Sequence, residues 1–209
     1  MSLGGTAAYG RIGDDLPELV RSAVAEAMRV GFEFCVRPEI GRLLATCAAA
    51  LPVGSLVAET GTGTGAGLAW MVSGARPGVR FISYELDTDR AAIAQNVFGH
   101  LSNVEVVCGD ASELFDRGPF DLLVLDGGPG SGKTAGSAPV DPVEVLRAGG
   151  TMTIDDYTPA TSWPPMHEGQ EDGSRVHWLS HPNLKSTEVR VAPDLAVLVC
   201  RYLPDRGGR

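Results

Sequence analysis

Residues 57–67 read Val57-Ala58-Glu59-Thr60-Gly61-Thr62-Gly63-Thr64-Gly65-Ala66-Gly67, and the reading of this stretch decides the fold. A short apolar run, Ser55–Ala58, ends in an acid, Glu59, and gives way to alternating glycines at Gly61, Gly63, Gly65 and Gly67. An apolar, helix-compatible segment, Leu68–Val72, follows. Strand, tight glycine turn and helix form the unit with which an open α/β sheet builds a nucleotide pocket. Glycine admits φ > 0 and lets a ligand approach the main chain closely. The first turn of the next helix then offers free N–H groups to an anionic group.

Spacing alone leaves the ligand open. Gly61, Gly63 and Ala66 satisfy the G-x-G-x-x-G/A dinucleotide pattern. Glu59 favours a different ligand. An acid two residues before the first glycine would lie near the phosphates of a dinucleotide, where its charge repels. It suits a ligand that carries an ammonium and a sulfonium.

A chain of 209 residues is expected to form one domain with a sizeable core. The net charge of −9, without any cluster of lysine or arginine, gives no support for binding nucleic acid or an anionic membrane. No apolar run approaches the roughly 20 residues of a membrane span, and no signal-peptide core opens the sequence. The cysteines Cys35, Cys47, Cys108 and Cys200 are scattered, in no metal-binding spacing. Reduced thiols in a cytoplasmic protein are the expectation.

Before the glycine turn, two amphipathic helices are predicted. In the first, Asp15 is expected to cap, Pro17 to sit in the first turn and Glu18 to complete a capping box, with Gly31 ending the helix. The second begins at Pro38 and stops at Pro52. After the turn, Phe81–Glu85 reads as a second strand, and Glu85 lies 24 residues beyond Gly61. That offset is close to the one, about 20 residues, at which an acid reaches ribose hydroxyls. A helix over about Thr88–His100 precedes a third strand, Val104–Val107, which runs into Cys108-Gly109-Asp110-Ala111. Asp110 there is placed to accept from an adenine amino group. Phe120–Leu125 is a fourth strand, closed by Asp126. A glycine- and proline-rich loop leads to a short helix, Pro142–Arg147, and to a fifth strand, Thr151–Ile154, closed by Asp155-Asp156. A polar insertion with a helical part around Glu171–Ser180 precedes an antiparallel hairpin, Thr187–Val191 and Leu195–Tyr202. Acids thus close four strands, at Glu59, Glu85, Asp126 and Asp155, on the sheet edge where doubly wound folds bind ligands.

This order of motifs resembles the class I S-adenosylmethionine-dependent methyltransferases. It carries the E-x-G-x-G-x-G turn at Glu59, the acid Glu85, Gly109-Asp110-Ala111, Phe120–Asp126 and Leu146-Arg147-Ala148-Gly149-Gly150. Within them it is similar to the cation-dependent O-methyltransferases of the catechol and caffeoyl-CoA type, on Pro38–Leu44 and the acidic strand ends. The resemblance implies a Rossmann-like, seven-stranded, mostly parallel sheet with an antiparallel C-terminal hairpin and helices on both faces. It divides one domain, residues 1–209, into N-terminal helices over the site (about 15–51), a cofactor core (about 55–156), an insertion (about 157–183) and a hairpin (about 185–203). S-adenosylmethionine would contact Glu59, Thr60, Gly61, Thr62, Gly63, Gly65, Gly67, Glu85, Asp110, Ala111 and Asp126. Mg²⁺ or another divalent cation would be held by Asp126, Asp155 and Asp156, oxygen ligands of the kind such ions take. The implied reaction is methylation of a hydroxyl on a small-molecule acceptor, by a homodimer. The non-catalytic alternative is a fold of this kind used as a binding module.

Two positions depart from the family pattern. Asp156 stands where the family has an amide, and Pro129 where it has a general-base lysine. The nearest lysine is Lys133, so either Lys133 reaches back, or the metal alone activates the acceptor, or the catalysis is altered. A competing motif overlaps this loop. Gly127–Thr134 matches G-x-x-x-x-G-K-[ST] directly after a strand, the signature of a P-loop. A P-loop needs a helix beginning at Lys133-Thr134, and Ala135-Gly136-Ser137-Ala138-Pro139 does not sustain one. His177 and His181 have zinc-like spacing without a third ligand in sequence, and Trp163–His167 is a candidate mouth for the acceptor.

Overall fold

The computed structural model describes residues 4–12, 15–134 and 136–204. Helices α1 (Gly5–Ala8), α2 (Glu18–Val30) and α3 (Pro38–Ala49) precede β1 (Leu56–Thr60). Then alternate α4 (Ala66–Gly74), β2 (Arg80–Glu85), α5 (Thr88–Phe98), β3 (Val104–Cys108) and β4 (Phe120–Leu125), with a 3₁₀ turn at Ala111–Arg117. The short α6 (Pro142–Val145) leads into β5 (Leu146–Tyr157). The insertion carries a small hairpin, β6 (Met166–His167) with β7 (Gln170–Glu171), and α7 (Gly173–Ser180). The chain closes with β8 (Leu184–Ala192) and β9 (Leu195–Tyr202).

The main sheet has seven strands in the order β3-β2-β1-β4-β5-β9-β8. Pairs from β3 to β5 are parallel, whereas β9 runs antiparallel to both β5 and β8. The mostly parallel sheet with an antiparallel C-terminal pair is therefore as expected. Both faces are covered, which explains why its strands read as near-continuous apolar runs. Successive residues serve opposite layers: Leu122 and Val124 join the core beneath α2, α3 and α4, while Leu123 and Leu125 join the core on the other face. Order reverses between β1 and β4, so the chain leaves a crevice at their C-terminal ends.

Three expectations about local structure are corrected. Helix α2 starts at Glu18, with Pro17 as its extended N-cap and no side-chain cap. Asp15 therefore lies too early to cap, because the proline ring disfavours helix at the residue before it. The β5 strand is longer than predicted at both ends, because it includes Ala148-Gly149-Gly150 and the acids beyond Ile154. Its register against β4 shifts between Phe120 and Leu122, and Gly149 takes φ 77° there. The glycines that looked like a loop are an irregular stretch within a strand. The short helix before it ends at Val145, two residues earlier than predicted. Among the described residues no helix is long and apolar enough to cross a membrane.

Candidate functional site

At the end of β1 the chain turns sharply over the neighbouring strands. The N–H groups of Gly61 and Thr62 both donate to the Tyr84 carbonyl, at 2.9 and 3.1 Å. Gly61 has φ 81°, and a side chain there would meet the Asp126 carbonyl oxygen. Only glycine allows this turn to lie against the end of β4.

Glu59 is 1% exposed beneath that turn. Its Oε2 accepts the Ser83 hydroxyl at 2.7 Å, and Thr62 Oγ1 lies 2.6 Å from the same Ser83 oxygen. Ser83 has one proton and gives it to Glu59, so Thr62 is the donor to Ser83. Its Oε1 lies 2.5 Å from where a Cβ on Gly67 would sit, so glycine at that position makes room for the acid under the first turn of α4. Burial pushes the Glu59 carboxyl well above its ordinary range; the Ser83 bond opposes this, and the charges of Asp126 and Glu85 add to it.

Glu85, at the end of β2, is 4% exposed. Its Oε2 accepts the Gly63 N–H at 2.7 Å. Its Oε1 accepts the Asp87 N–H at 3.0 Å and two Arg90 N–H groups at 3.2 and 2.9 Å. The carboxylate expected to be open to two hydroxyls is thus already bonded to the chain at both oxygens. Asp110 caps the 3₁₀ turn at Ala111, accepting from the Ser112 N–H at 2.8 Å, and that bond holds its carboxyl below the usual range. Gly63, Thr64, Gly65 and Ala66 carry the chain into α4, with Gly65 as a left-handed N-cap. The linker between α2 and α3 lies over this turn. Phe32, Phe34, Cys35 and Val36 leave a cavity of about 10 Å³ against the glycines and Asp126.

The acids of β4 and β5 converge. Asp126, Asp155 and Asp156 each offer an oxygen within 4.8 Å of the others, and no other described group of three or more such side chains does so. In a regular strand Asp155 and Asp156 would point to opposite faces. Here the register against β9 shifts between Ile154 and Tyr157, and Asp156 takes φ 56°, a conformation that Asp tolerates better than most residues. The bulge lets consecutive acids gather. Asp155 Oδ1 is buried without a hydrogen-bond partner. Burial first, then the charges of Asp126 and Asp156, hold the Asp155 carboxyl well above its ordinary range; burial raises Asp126 as well. A converging set of carboxylate oxygens with an unsatisfied lone-pair atom fits a hard divalent cation.

Lys133 reaches back to this cluster through the backbone. Its Nζ donates to the Asp155 carbonyl at 2.6 Å and the Asp156 carbonyl at 3.3 Å, and stands 4.7 Å from the Tyr157 ring centre. No helix begins at Lys133-Thr134, and the next is α6 at Pro142. The Ser131 carbonyl of the same loop is fixed instead by Trp178 Nε1 and Ser174 Oγ, each at 2.8 Å. The P-loop reading is thereby overturned, since the helix whose first-turn N–H groups would cradle phosphate does not begin there. Beyond Asp156 a cleft of about 790 Å³ opens, lined by Lys133, Tyr157, His167, Arg175 and His177 among others. Trp163 does not line it. His177 packs edge-on against Trp178 and 5.4 Å from His181, and the pair belongs to no described metal-type cluster.

Sequence reasoning missed Ser83, Arg90 and Phe32. Ser83 was in reach, because it shares a strand face with Glu85 two residues on. Arg90 and Phe32 arrive from other elements and carry no pattern of their own.

A family profile described as a methyltransferase domain matches residues 58–157. A protein of Mycobacteroides abscessus, provisionally named an O-methyltransferase, is 30% identical over 156 residues, covering 70% of this chain and 68% of its own length. A similarly named protein of Mycobacterium tuberculosis is 27% identical over 154 residues; the match covers 70% of this chain and 66%, just under two thirds, of the relative. Among solved structures, the O-methyltransferase TomG of tomaymycin synthesis from Streptomyces achromogenes, in complex with S-adenosylmethionine, superposes with a TM-score of 0.71. It is 16% identical, and 95% of each chain is covered. An O-methyltransferase from Bacillus cereus in complex with S-adenosylhomocysteine gives a TM-score of 0.68 at 17% identity, covering 94% of this chain and 96% of that one. The sheet order agrees with these neighbours, and the 30% identity to the Mycobacteroides abscessus protein over 68% of its length shows the family: the chain belongs to the O-methyltransferase family of class I methyltransferases.

Proposed function

We propose that the protein transfers the methyl group of S-adenosylmethionine to a hydroxyl of a small-molecule acceptor. The observation that carries this reading is Glu59, a fully buried carboxylate directly beneath the glycine turn and near Asp126. A dinucleotide would bring phosphates to that point, whereas an α-ammonium and a sulfonium are stabilised there. Glu59, Thr60, Gly61, Thr62, Gly63, Gly65, Gly67 and Asp126 form the amino-acid side of the site in this reading. Glu85 takes the ribose side, and Asp110 with Ala111 the base.

The acceptor enters by the 790 Å³ cleft beside Asp156, a size suited to a drug-sized molecule. Asp126, Asp155 and Asp156 would hold a divalent cation, which when bound supplies a Lewis acid that lowers the pKa of the acceptor hydroxyl. Asp126 lies between the two sides and orients the acceptor oxygen towards the methyl group. Lys133 holds the end of β5 through its two carbonyl contacts, at the edge of the same acidic cluster. A division into N-terminal helices, core, insertion and hairpin accompanies this reading, as does a homodimer. The four free cysteines agree with a cytoplasmic setting.

A ligand that binds only the native state raises Tm by mass action, by about 2.7 kcal/mol at a hundred times its Kd. S-adenosylmethionine and S-adenosylhomocysteine are expected to raise Tm, and NAD and ATP to leave it unchanged. A shift with NAD or ATP and none with either S-adenosyl compound would refute the reading. Cofactor binding without turnover on a panel of phenols, alcohols and carboxylates would reduce the protein to a binding module.

A further inference from the structure

The two oxygens of Glu85 are used unequally. Oε1 accepts three N–H groups, from the Asp87 backbone at 3.0 Å and from Arg90 Nε and Nη2 at 3.2 and 2.9 Å. Oε2 accepts one, from the Gly63 backbone at 2.7 Å. A carboxylate oxygen presents about two lone-pair sites. Oε1 is therefore filled, and Oε2 retains a single acceptor position.

Arg90 does more than fill Oε1. Its guanidinium sits 5.5 Å from the centre of the Phe32 ring, a cation–π distance, and 3.5 Å from the Asp87 carboxylate. The Phe32 ring lies against Gly63, 3.0 Å from where a Cβ would stand. One side chain on α5 thus joins the acid at the end of β2, the glycine turn bonded to that acid, and the α2–α3 linker above the turn. Its fork of N–H donors is what allows two bonds to converge on one oxygen while the planar face meets an aromatic ring.

We propose that Arg90 is a positioning residue for the S-adenosyl ligand: by occupying Glu85 Oε1 it leaves Oε2 alone to receive one ribose hydroxyl, and it seats Phe32 over the glycine turn. This rests on the S-adenosylmethionine reading above. A carboxylate with both oxygens open would take both vicinal hydroxyls and weigh them alike. Held by Arg90, Glu85 weighs one.

Calorimetric titration of the full chain with S-adenosylhomocysteine and with its 2′-deoxy and 3′-deoxy analogues tests this. In the wild type one deoxy analogue is expected to bind about tenfold more weakly than the parent, the scale of one hydrogen bond to a charged group. The other should stay within about threefold. In Arg90→Met, and equally in Arg90→Lys, which keeps the charge without the fork, the two analogues should converge to within about twofold of each other. A merely structural role would weaken all three ligands by the same factor and preserve the ratio, and that result overturns the proposal. Equal losses for both analogues in the wild type overturn it too, while leaving the cofactor reading intact. If the wild type binds none of the three, the cofactor reading itself falls. Arg90 is partly exposed at the surface, and thermal melts of both variants verify that they fold before titration.

Discussion

Glu59 concentrates the argument at the scale of single residues. Burial raises its carboxyl well above the ordinary value of 4.5, so in the absence of ligand the folded state favours the protonated form more than the unfolded chain does. The stability this contributes is fully present below the unfolded value and is lost as pH rises through the folded one. A cationic ligand binds the ionised form, so its affinity rises with pH over that same window. Glu59→Gln is accordingly expected to raise ligand-free Tm at neutral pH, and to weaken S-adenosylhomocysteine binding by about 1.5–3 kcal/mol, the scale of lost charge-assisted bonds. Melts and titrations at pH 5 and pH 8 measure both effects. A variant that loses Tm at neutral pH, or that binds with unchanged affinity, contradicts the assignment. Glu59 and Gly61 were legible in the sequence because local spacing fixes them: an acid at a strand end, a glycine where a turn needs positive φ. Arg90 was not, because an arginine reports its partner only when the fold brings that partner to it.

Elements were legible where one period dominates. Short apolar runs closed by turn signals marked β1 to β4, and Gly31 and Pro38 marked the end of α2 and the start of α3 at the residues seen. Irregular elements were less so. The bulge at Asp155-Asp156 depends on the register with β9, a long-range pairing invisible in the local sequence. The insertion was read as polar with some helix, yet its helix α7 is anchored by a fully buried tryptophan. Trp178 is 0% exposed and its indole N–H fixes the Ser131 carbonyl at 2.8 Å. Through that bond α7 sets the loop that carries Lys133. Trp178→Ala should cost about 3–5 kcal/mol, the range for deleting a buried aromatic, and Trp178→Phe less, since it keeps most of the packing. Denaturant unfolding measures the cost, and proteolysis within 127–136 measures release of the loop. Stability within 1 kcal/mol of wild type for Trp178→Ala would mean that α7 is not anchored as described.

At the scale of the whole molecule, the sheet order brings together groups that lie far apart in the chain. Strand β4 stands between β1 and β5, so its terminal acid, Asp126, is shared by the glycine turn on one side and by Asp155-Asp156 on the other. The parallel register pairs Leu125 with Ile154, and the acids that follow them end level. That arrangement was foreseeable only as far as adjacency of the two strands could be inferred. Three carboxylates within 4.8 Å repel one another, and a cation relieves the repulsion more completely than a proton shared among them. Mg²⁺ or Mn²⁺ at a hundred times its Kd should therefore stabilise the protein by about 2.7 kcal/mol, or several degrees in Tm for a chain of this length. Asp155→Asn removes one charge and keeps the shape, so it should raise the metal-free Tm and abolish most of the metal-dependent rise. A charge-neutral substitution elsewhere on the surface should do neither. Turnover provides the second measurement: loss in EDTA and recovery with Mg²⁺ is expected if the cation activates the acceptor hydroxyl. Full activity in EDTA, with no Tm response to either ion, would leave the acids as a repulsive cluster relieved by protonation. The glycine turn with Glu59 would still bind its cationic ligand, because that half of the site shares only Asp126 with the other.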